Sequence, residues 1–261
     1  MSDALVKMLN EYGYQPVFLP HTGYVPPELY SFEQHKLIRH GTLTAYIKDP
    51  ITFQPTTGDL ASIEGKITSS KNTDAAAGFL SKALAVIGLS AIPKIDLSFA
   101  GSHDFVFAFE GVTYQSVDPA VIDQVLQDLK LPLAIPDDYV TNGELHIAYE
   151  YAYADTVKMS RVDGKKFSTD VSGDVGAYVD VGTKVQVAVN ANSTVTFSAK
   201  EKDKTAAFAY KAGRLLYRDG RWLFEPEVIM KLAGPPVRKW EFVPAYGVVL
   251  AAEDAKAAVA V

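Results

Sequence analysis

The chain has 261 residues, of which 48% are hydrophobic and 21% charged, so it can bury a sizeable core. Its net charge of −6 argues against nucleic acid as the main ligand, because phosphate binding depends on Lys and Arg. It has no cysteine, which excludes disulfides, thiolate metal sites and a cysteine nucleophile.

The first half of the chain predicts short elements of mixed type. In chain order they begin with an amphipathic helix over residues 2–12 stopped by Gly13, a strand over 14–19 ended by Pro20, and a loop around Pro26 and Pro27. A strand over 37–48 and a polar segment over 51–74, with a thin strand near Ile63, come next. A small-residue helix over 75–92 and strands over 95–99 and 105–109 follow. Asp118 and Pro119 then predict the start of a helix that runs to residue 130, with Val121, Val125 and Leu129 on its apolar face.

The second half is dominated by strand patterns. Residues 145–153 predict a strand with His146 on its polar face, and residues 206–217 and 222–224 predict a hairpin that turns at Asp219-Gly220. A short helix over 227–232 precedes the linker Gly234-Pro235-Pro236. An apolar segment follows this linker and runs to residue 261.

Small or apolar residues occupy almost all odd positions from 167 to 199, and this alternation predicts a sheet with one apolar face. A hairpin turning at Gly182-Thr183 would have arms over 166–181 and 184–200, each longer than the roughly 9–11 residues that span a bilayer as a tilted strand. In a compact fold, Gly173 and residues 190–193 would bend or split these arms. The same alternation is typical of an ordinary half-buried sheet, so the pattern alone leaves both interpretations open.

The sequence offers no candidate for catalytic, cofactor-binding or metal-binding chemistry. None of the five histidines has a second His at helical spacing, and there is no HExxH, GxSxG or glycine-rich phosphate loop. We therefore interpret His35 and His40 as surface residues, and we expect no enzyme activity and no cofactor.

The C-terminal tail permits two interpretations. An apolar segment must be buried against the body, and a tether keeps it there by holding it at a local concentration of about millimolar. A cut in the linker removes that advantage, which is the physics of an inhibitory peptide released by proteolysis. The alternative is a docked segment with only a structural role.

Several segments and their order carry a resemblance to a known family. They are LNEYGYQPVFLP, GYVPPELY, AAAGFLSKALAVIGLSAIPKIDLSF, VDPAVIDQVLQDL, KTAAFAYKAGRLLYRDGRW and the short apolar tail. Together they cover nearly the whole chain, which on these grounds resembles the bacterial gasdermins.

The resemblance implies an α+β fold, a gasdermin-like N-terminal domain in which helices pack around a twisted antiparallel sheet, with a short C-terminal inhibitory peptide. Residues 1–234 would form the pore-forming body, and 235–261 the linker and autoinhibitory tail. The implied function is an autoinhibited, cytoplasmic monomer that a caspase-like or trypsin-like protease activates. The body would then form a homo-oligomeric, β-barrel-type pore in inner-membrane lipid and cause cell death in antiphage defence.

The resemblance also implies functional positions. The cut is expected in the linker or early tail, among Val237, Arg238, Lys239, Trp240, Tyr246 and Leu250. Membrane hairpins are expected from residues 44–99 and 155–200, with the lipid-facing positions Val171, Val175, Val179, Val181, Val185, Val187, Val189, Val195 and Phe197. Ala4 lies where family members usually carry an acylated cysteine, so either this chain lacks acylation or alanine replaces a natural cysteine.

A different class of function remains open in the sequence. A sheet-rich soluble protein that binds a lipid or another apolar ligand, with a structural C-terminal segment, would show the same alternation.

Overall fold

The structure is a computed structural model, and it describes residues 4–33, 36–48, 51–61, 63, 68–71, 104–131, 139–140, 142–161, 179–180, 185–189, 194–199, 204–226 and 249–251. These residues form fifteen strands in two sheets, with short helices packed against them. The predicted α+β class is confirmed. The helices predicted over 75–92 and 227–232 and the strand predicted over 95–99 lie outside the described residues.

The elements are numbered in chain order. The helices are α1 (Ala4–Glu11) and α2 (Pro119–Val125), with short 3₁₀ helices at Leu43–Tyr46 and Leu126–Asp128. The strands are β1 (Gln15–His21), β2 (Glu28–Glu33), β3 (Lys36–Thr42), β4 (Thr56–Asp59), β5 (Thr68–Lys71), β6 (Asp104–Glu110), β7 (Thr113–Ser116), β8 (Leu145–Ala154), β9 (Thr156–Arg161), β10 (Val179–Asp180), β11 (Val185–Val189), β12 (Thr194–Ala199), β13 (Ala206–Arg218), β14 (Arg221–Pro226) and β15 (Val249–Ala251).

The predicted end of α1 and the predicted start of α2 are confirmed, whereas the α-helix of α2 ends at Val125 and does not reach residue 130. Gly13, at φ +78°, follows α1 and donates its N–H to the Asn10 carbonyl over 3.0 Å, a conformation that costs glycine little. Asp118 caps α2, since its Oδ1 accepts from the Ala120 N–H at 2.8 Å. Both predicted boundary signals are confirmed.

The predicted apolar face of α2 was wrong in part. Ile122 and Leu126 are fully buried, whereas Val121 is 38% exposed. The α-helix ends at Val125 and tightens into a 3₁₀ turn, which changes the periodicity from 3.6 to 3.0 residues per turn. Leu129 is still buried, because it forms a bridge with Ile47 beyond that turn.

Several strand predictions in the N-terminal third were wrong. β1 continues through Pro20 to His21, because its pairing with β13 is irregular there and the missing proline N–H interrupts no regular ladder. β3 ends at Thr42 instead of Lys48, and a 3₁₀ helix follows directly. The segment Glu28–Glu33 was not predicted as a strand and forms β2, while Ile63 lies in a turn and not in a strand.

Strand pairing in the larger sheet closes on itself. Its nine strands have the order β14-β13-β1-β15-β3-β2-β8-β7-β4, and β13 also pairs with β8 along their length. The strands β13, β1, β15, β3, β2 and β8 therefore form a closed ring of six paired strands. The ring contains one short C-terminal strand, β15, and five strands from the body.

The two surfaces of this ring have separate cores. The inner cluster is rich in tyrosine and contains Val17, Tyr24, Tyr30, Leu37, Ala148, Tyr151, Tyr153, Ala207, Tyr210 and Ala212. The outer cluster packs α2 and its 3₁₀ extension against β2, β8, β13 and β14, around Ile122, Leu145, Ile147 and Leu215. The long strand β8 is thus covered on both sides.

Burial on both sides overturns one histidine prediction. His146 alternates with Leu145 and Ile147, which predicted an exposed polar face, but only 5% of His146 is exposed. His146 does lie on the opposite face from Leu145 and Ile147, but that face is not exposed, because β8 is covered on both sides. His40 is only half-buried, and its Nε2 lies 2.9 Å from Ser31 Oγ.

The smaller sheet has the order β10-β11-β12-β9-β6-β5. The antiparallel pairing of Val179 with Val187 shows that the chain reverses between Asp180 and Val185, as predicted, while Gly182-Thr183 itself lies outside the described residues. The predicted second arm over 184–200 is not one strand, because β11 and β12 pair with each other and the chain reverses between Val189 and Val195. This division falls at residues 190–193, where the sequence predicted that the arm would split.

Candidate functional site

The tail strand β15 lies in the middle of the large sheet and runs parallel to both of its neighbours. Val17 of β1 is in register with Leu250, and Leu37 of β3 is in register with the same residue from the other side. Val17 is 1% exposed and Leu37 2%. The segment Val249–Ala251 therefore fills a slot between β1 and β3, and this slot is where the closed ring joins tail to body.

A buried ion pair lies inside the ring, next to the β3 side of the slot. Glu28 of β2 is completely buried, and its Oε1 accepts from Arg39 Nη2 at 2.6 Å and from Arg39 Nε at 3.1 Å. Its Oε2 accepts from the hydroxyls of Tyr30 at 2.8 Å and Tyr151 at 2.7 Å. Those two hydroxyl oxygens lie 2.6 Å apart. This network, which we call the Glu28 network, joins β2, β3 and β8.

Burial and charge fix the protonation states in the Glu28 network. Burial lowers the pKa of Arg39, but its hydrogen bonds to Glu28 and the charge of that carboxylate outweigh burial and raise the pKa above its ordinary value. Burial is the main cause that raises the pKa of Tyr30 and of Tyr151, and the charge of Glu28 adds to it. The phenols are therefore neutral donors, and the arginine is a permanent cation.

Aromatic rings surround this ion pair. The Tyr24 ring stacks on Tyr151 with centroids 5.5 Å apart, and the Arg39 guanidinium lies 5.6 Å from the Tyr24 centroid. The Tyr153 hydroxyl donates to the Tyr24 carbonyl at 2.8 Å. The loop that contains Pro26 and Pro27 is thereby tied to β8.

A second network lies on the outer surface of the ring, next to the β1 side of the slot. Tyr14, which directly precedes β1, donates to Glu150 Oε1 at 2.5 Å, and Lys211 Nζ of β13 lies 2.7 Å from the same oxygen. Lys211 Nζ is also 4.4 Å from the centroid of the Tyr14 ring. Burial and the charge of Glu150 raise the pKa of Tyr14. This Glu150 network joins the start of β1 to β8 and β13.

His146 is a buried group whose contacts among the described residues are a backbone carbonyl and an aromatic ring. Its Nδ1 lies 3.2 Å from the Glu144 carbonyl, and Phe32 packs near its ring. Burial lowers its pKa to about 4, and the charge of Arg214 acts in the same direction. His146 is therefore neutral at pH 7.

Among the described residues, no group of His, Asp and Glu side chains is arranged to hold a metal ion. In the same part of the chain, no helix combines the length and the apolar character needed to cross a bilayer.

Comparison with known proteins decides the family. The sequence model of the Bacterial Gasdermin Family matches residues 17–221. A protein from Piscinibacter sakaiensis named gasdermin bGSDM is 38% identical over 232 residues, which are 87% of this chain and 86% of that protein.

The chain belongs to the bacterial gasdermin family. The solved structure of a bacterial gasdermin from Bradyrhizobium tropiciagri has the same fold, with a TM-score of 0.52 at 12% identity over 95% of this chain and 96% of that one. Membership supports a general role as a pore-forming effector of cell death, and the gasdermins are not an enzyme family.

The described part of this gasdermin brings together only some of the predicted lipid-facing positions. Val179, Val187 and Phe197 are in register across β10, β11 and β12, and the line continues through Val157 to Phe109. Val185 is fully buried and Phe197 is 1% exposed. Val189 pairs with Val195 in the same sheet, while Val171, Val175 and Val181 lie outside the described residues.

The buried positions of this line pack against the ring. Phe109 stacks on Phe208 of β13 with centroids 4.4 Å apart. A small apolar cavity opens at this junction, lined by Leu9, Pro16, Val17, Pro20, Phe107, Phe109, Val157 and Phe208. The apolar face of the small sheet is thus covered by the body in this gasdermin.

The remaining predicted positions lie mostly outside the described residues. These are Val237, Arg238, Lys239, Trp240 and Tyr246 of the expected cleavage region. Leu250 is described and lies in β15. Ala4 is the first residue of α1, and its proposed relation to an acylated cysteine stays a prediction.

Neither buried network was predicted from the sequence. A charged residue within an otherwise apolar strand was the available signal, since Glu150 lies between Tyr149 and Tyr151 and Glu28 directly precedes Leu29. Such residues are rarely buried without a partner. The sequence does not show which cation or hydroxyl supplies it.

Proposed function

We propose that this gasdermin is held inactive by its C-terminal tail and is activated when a protease cuts between the body and β15. The observation that carries this proposal is the position of Val249–Ala251, a short strand that joins β1 to β3 and closes the ring. Because a peptide bond within a strand paired on both sides is inaccessible, we place the cut upstream of Val249. The activating protease is of the caspase-like or trypsin-like class.

The energetics favour release after a cut. A backbone hydrogen bond contributes a net stabilisation of about 0.5–1.5 kcal/mol, whereas ordering one residue costs about 1–2 kcal/mol. A three-residue strand is therefore held only weakly by its own contacts, apart from any apolar burial. A tether that supplies a local concentration of about millimolar favours the bound state of the strand, and a cut removes this advantage.

The small sheet supports the membrane part of the proposal. β9, β11 and β12 contain 6, 5 and 6 residues, each below the roughly 9–11 residues needed to span a bilayer. Their pairing keeps odd positions opposite odd positions, so a longer strand would present the same residues on one face. We propose that residues 44–99 and 155–200 rebuild into such strands and that their apolar face then contacts lipid.

The remaining steps follow from this switch. The intact protein is a cytoplasmic monomer, and the cut body assembles with further copies into a large β-barrel-type pore in the inner membrane. The resulting loss of the permeability barrier kills the cell, which limits phage multiplication.

A liposome leakage assay tests the proposal. Residues 237–240 are replaced by the recognition sequence of a site-specific protease, and the matched control carries the same residues in scrambled order. Vesicles of phosphatidylethanolamine and phosphatidylglycerol should release dye only when the cleavable variant and the protease are both present. Equal release from both variants, or from neither, would contradict the proteolytic switch. A cut protein that stays monomeric without leakage would favour the apolar-ligand-binding alternative.

A further inference from the structure

We propose that the slot between β1 and β3 persists after the tail strand leaves and accepts a separate extended peptide, which adds in parallel and closes the ring again. The partner class is a peptide in strand conformation whose residues within the slot are uncharged and apolar. This inference rests on the proposed function only for its leakage readout, because peptide binding to the cut protein can be measured independently.

Each wall of the slot is fixed to the body by a network whose members, among the described residues, all belong to the body. β3 is held to β2 and β8 through Arg39 and Glu28, whose carboxylate also accepts from two tyrosine hydroxyls. The β1 side is held to β8 and β13 through Tyr14, Glu150 and Lys211. Both walls are therefore anchored to the same strand, β8, from opposite surfaces of the ring.

These anchors oppose direct closure of β1 onto β3. Two strands that flank a third lie about 9–10 Å apart, and direct pairing would bring them to about 4.8 Å. A movement of that size would separate Arg39 from Glu28 or Tyr14 from Glu150, leaving a buried carboxylate with fewer partners. The slot therefore stays open, with an unpaired strand edge on each side that can take up an extended segment.

The register defines what the slot accepts. Leu250 is in register with Val17 on one side and Leu37 on the other, and both of these side chains are buried. Residues in register across a sheet lie on the same face, so an occupant needs an apolar residue at this position. A charge there would be buried without a partner, and a proline would remove a backbone donor from a strand paired on both sides.

The experiment supplies the tail in trans. A peptide of residues 243–257 is added with the protease and vesicles to the cleavable full-length protein. At roughly 1 mM, which matches the concentration given by a tether, it should slow dye release about ten-fold. Peptides with Leu250→Pro or Leu250→Asp, and a scrambled peptide of equal composition, should have no effect. Equal slowing by these controls would overturn the proposal.

Binding is measured separately by fluorescence anisotropy of the labelled peptide on the cut and buffer-exchanged protein. If the cut protein leaks but neither binds the peptide nor is slowed by it, the slot proposal fails while the proposed function stands. If the cut protein binds only the native peptide but does not leak, the slot proposal stands and the proposed function fails.

A variant of the β1 wall tests whether the walls are held in advance. Tyr14→Phe removes the hydroxyl donor to Glu150 and keeps the ring, and it should weaken peptide binding about five-fold, the loss expected for one hydrogen bond. Tyr217→Phe, at an exposed position in the part of β13 that pairs with β14 and not with β1, is the matched control and should bind as the parent does. Equal affinity of the two variants would overturn the role assigned to the network.

Discussion

Replacement of Arg39 by methionine tests whether the Glu28 network holds the body together. Arg39→Met keeps much of the apolar stem but removes both hydrogen bonds to Oε1 of Glu28, a side chain with no solvent exposure. Breaking a buried pair by removing one partner costs about 3–5 kcal/mol. Because Arg39 is 23% exposed and two tyrosine hydroxyls still reach Glu28, we expect the lower end, about 3 kcal/mol.

Urea denaturation of the intact protein, followed by circular dichroism, measures this change. Arg218→Met is the matched control, since Arg218 pairs with Glu225 at 3.4 Å and both side chains are more than half exposed. It should change the unfolding free energy by less than about 0.5 kcal/mol.

The double variant Glu28→Gln with Arg39→Met sharpens the test. It leaves no buried charge without a partner, so it should be less destabilised than Arg39→Met alone. A loss below about 1 kcal/mol in Arg39→Met, or simple additivity of the two substitutions, would refute the reasoning.

Three further predictions concern pH, the small sheet and the tail. Burial lowers the pKa of His146 to about 4 from its ordinary 6.5, so the unfolded chain binds the proton more readily between these values and stability falls as pH is lowered through that window. The loss should reach about 3 kcal/mol at pH 4, and His146→Gln should remove this part of the pH dependence in denaturation curves; an unchanged pH profile would contradict it. Val187→Asp should abolish dye release by the cut protein, because Val187 is in register with buried Phe197. Gln186→Asp, on the other face of the strand, should be tolerated. Equal dye release by the two variants would contradict the proposal that the odd-numbered positions face lipid. Leu250→Pro in the full-length protein should permit leakage without protease, since proline removes a donor from β15, and a variant that stays silent until cut would show that β15 does not hold the closed state.

Local signals predicted local structure well. Asp118 and Pro119 mark the start of α2 correctly, and residues 190–193 divide β11 from β12 as their composition predicts. These features depend on caps, turns and side-chain alternation, which act within a few residues. Features that depend on distant parts of the chain were not predicted. The alternation of side chains predicted an exposed His146, but it cannot show that β8 is covered on both sides.

The position of the tail strand illustrates the same limit. The apolar tail predicted a segment that must be buried, but nothing in its sequence identifies β1 and β3 as its neighbours. Pairing between residue 17 and residue 250 is a contact between opposite ends of the chain, and it is decided by which strand edges the folded body leaves free. The partners of Glu28 and Glu150 were hidden for the same reason, since each network joins segments more than a hundred residues apart.

The combination of strong networks in the body and a short strand in the tail explains how one cut could act as a switch. If β15 contributed a large share of the packing, its loss would unfold the body and leave nothing to assemble. Instead, the described contacts of Glu28 and Glu150 join residues of the body, and they tie β1 and β3 to β8 without involving β15. Removal of β15 therefore changes the ring at one place, where it exposes two strand edges. A body that keeps its fold but has two strand edges with unpaired backbone groups favours pairing with another strand. The concentration of available strands then decides whether a peptide closes the ring again or the body assembles with further copies.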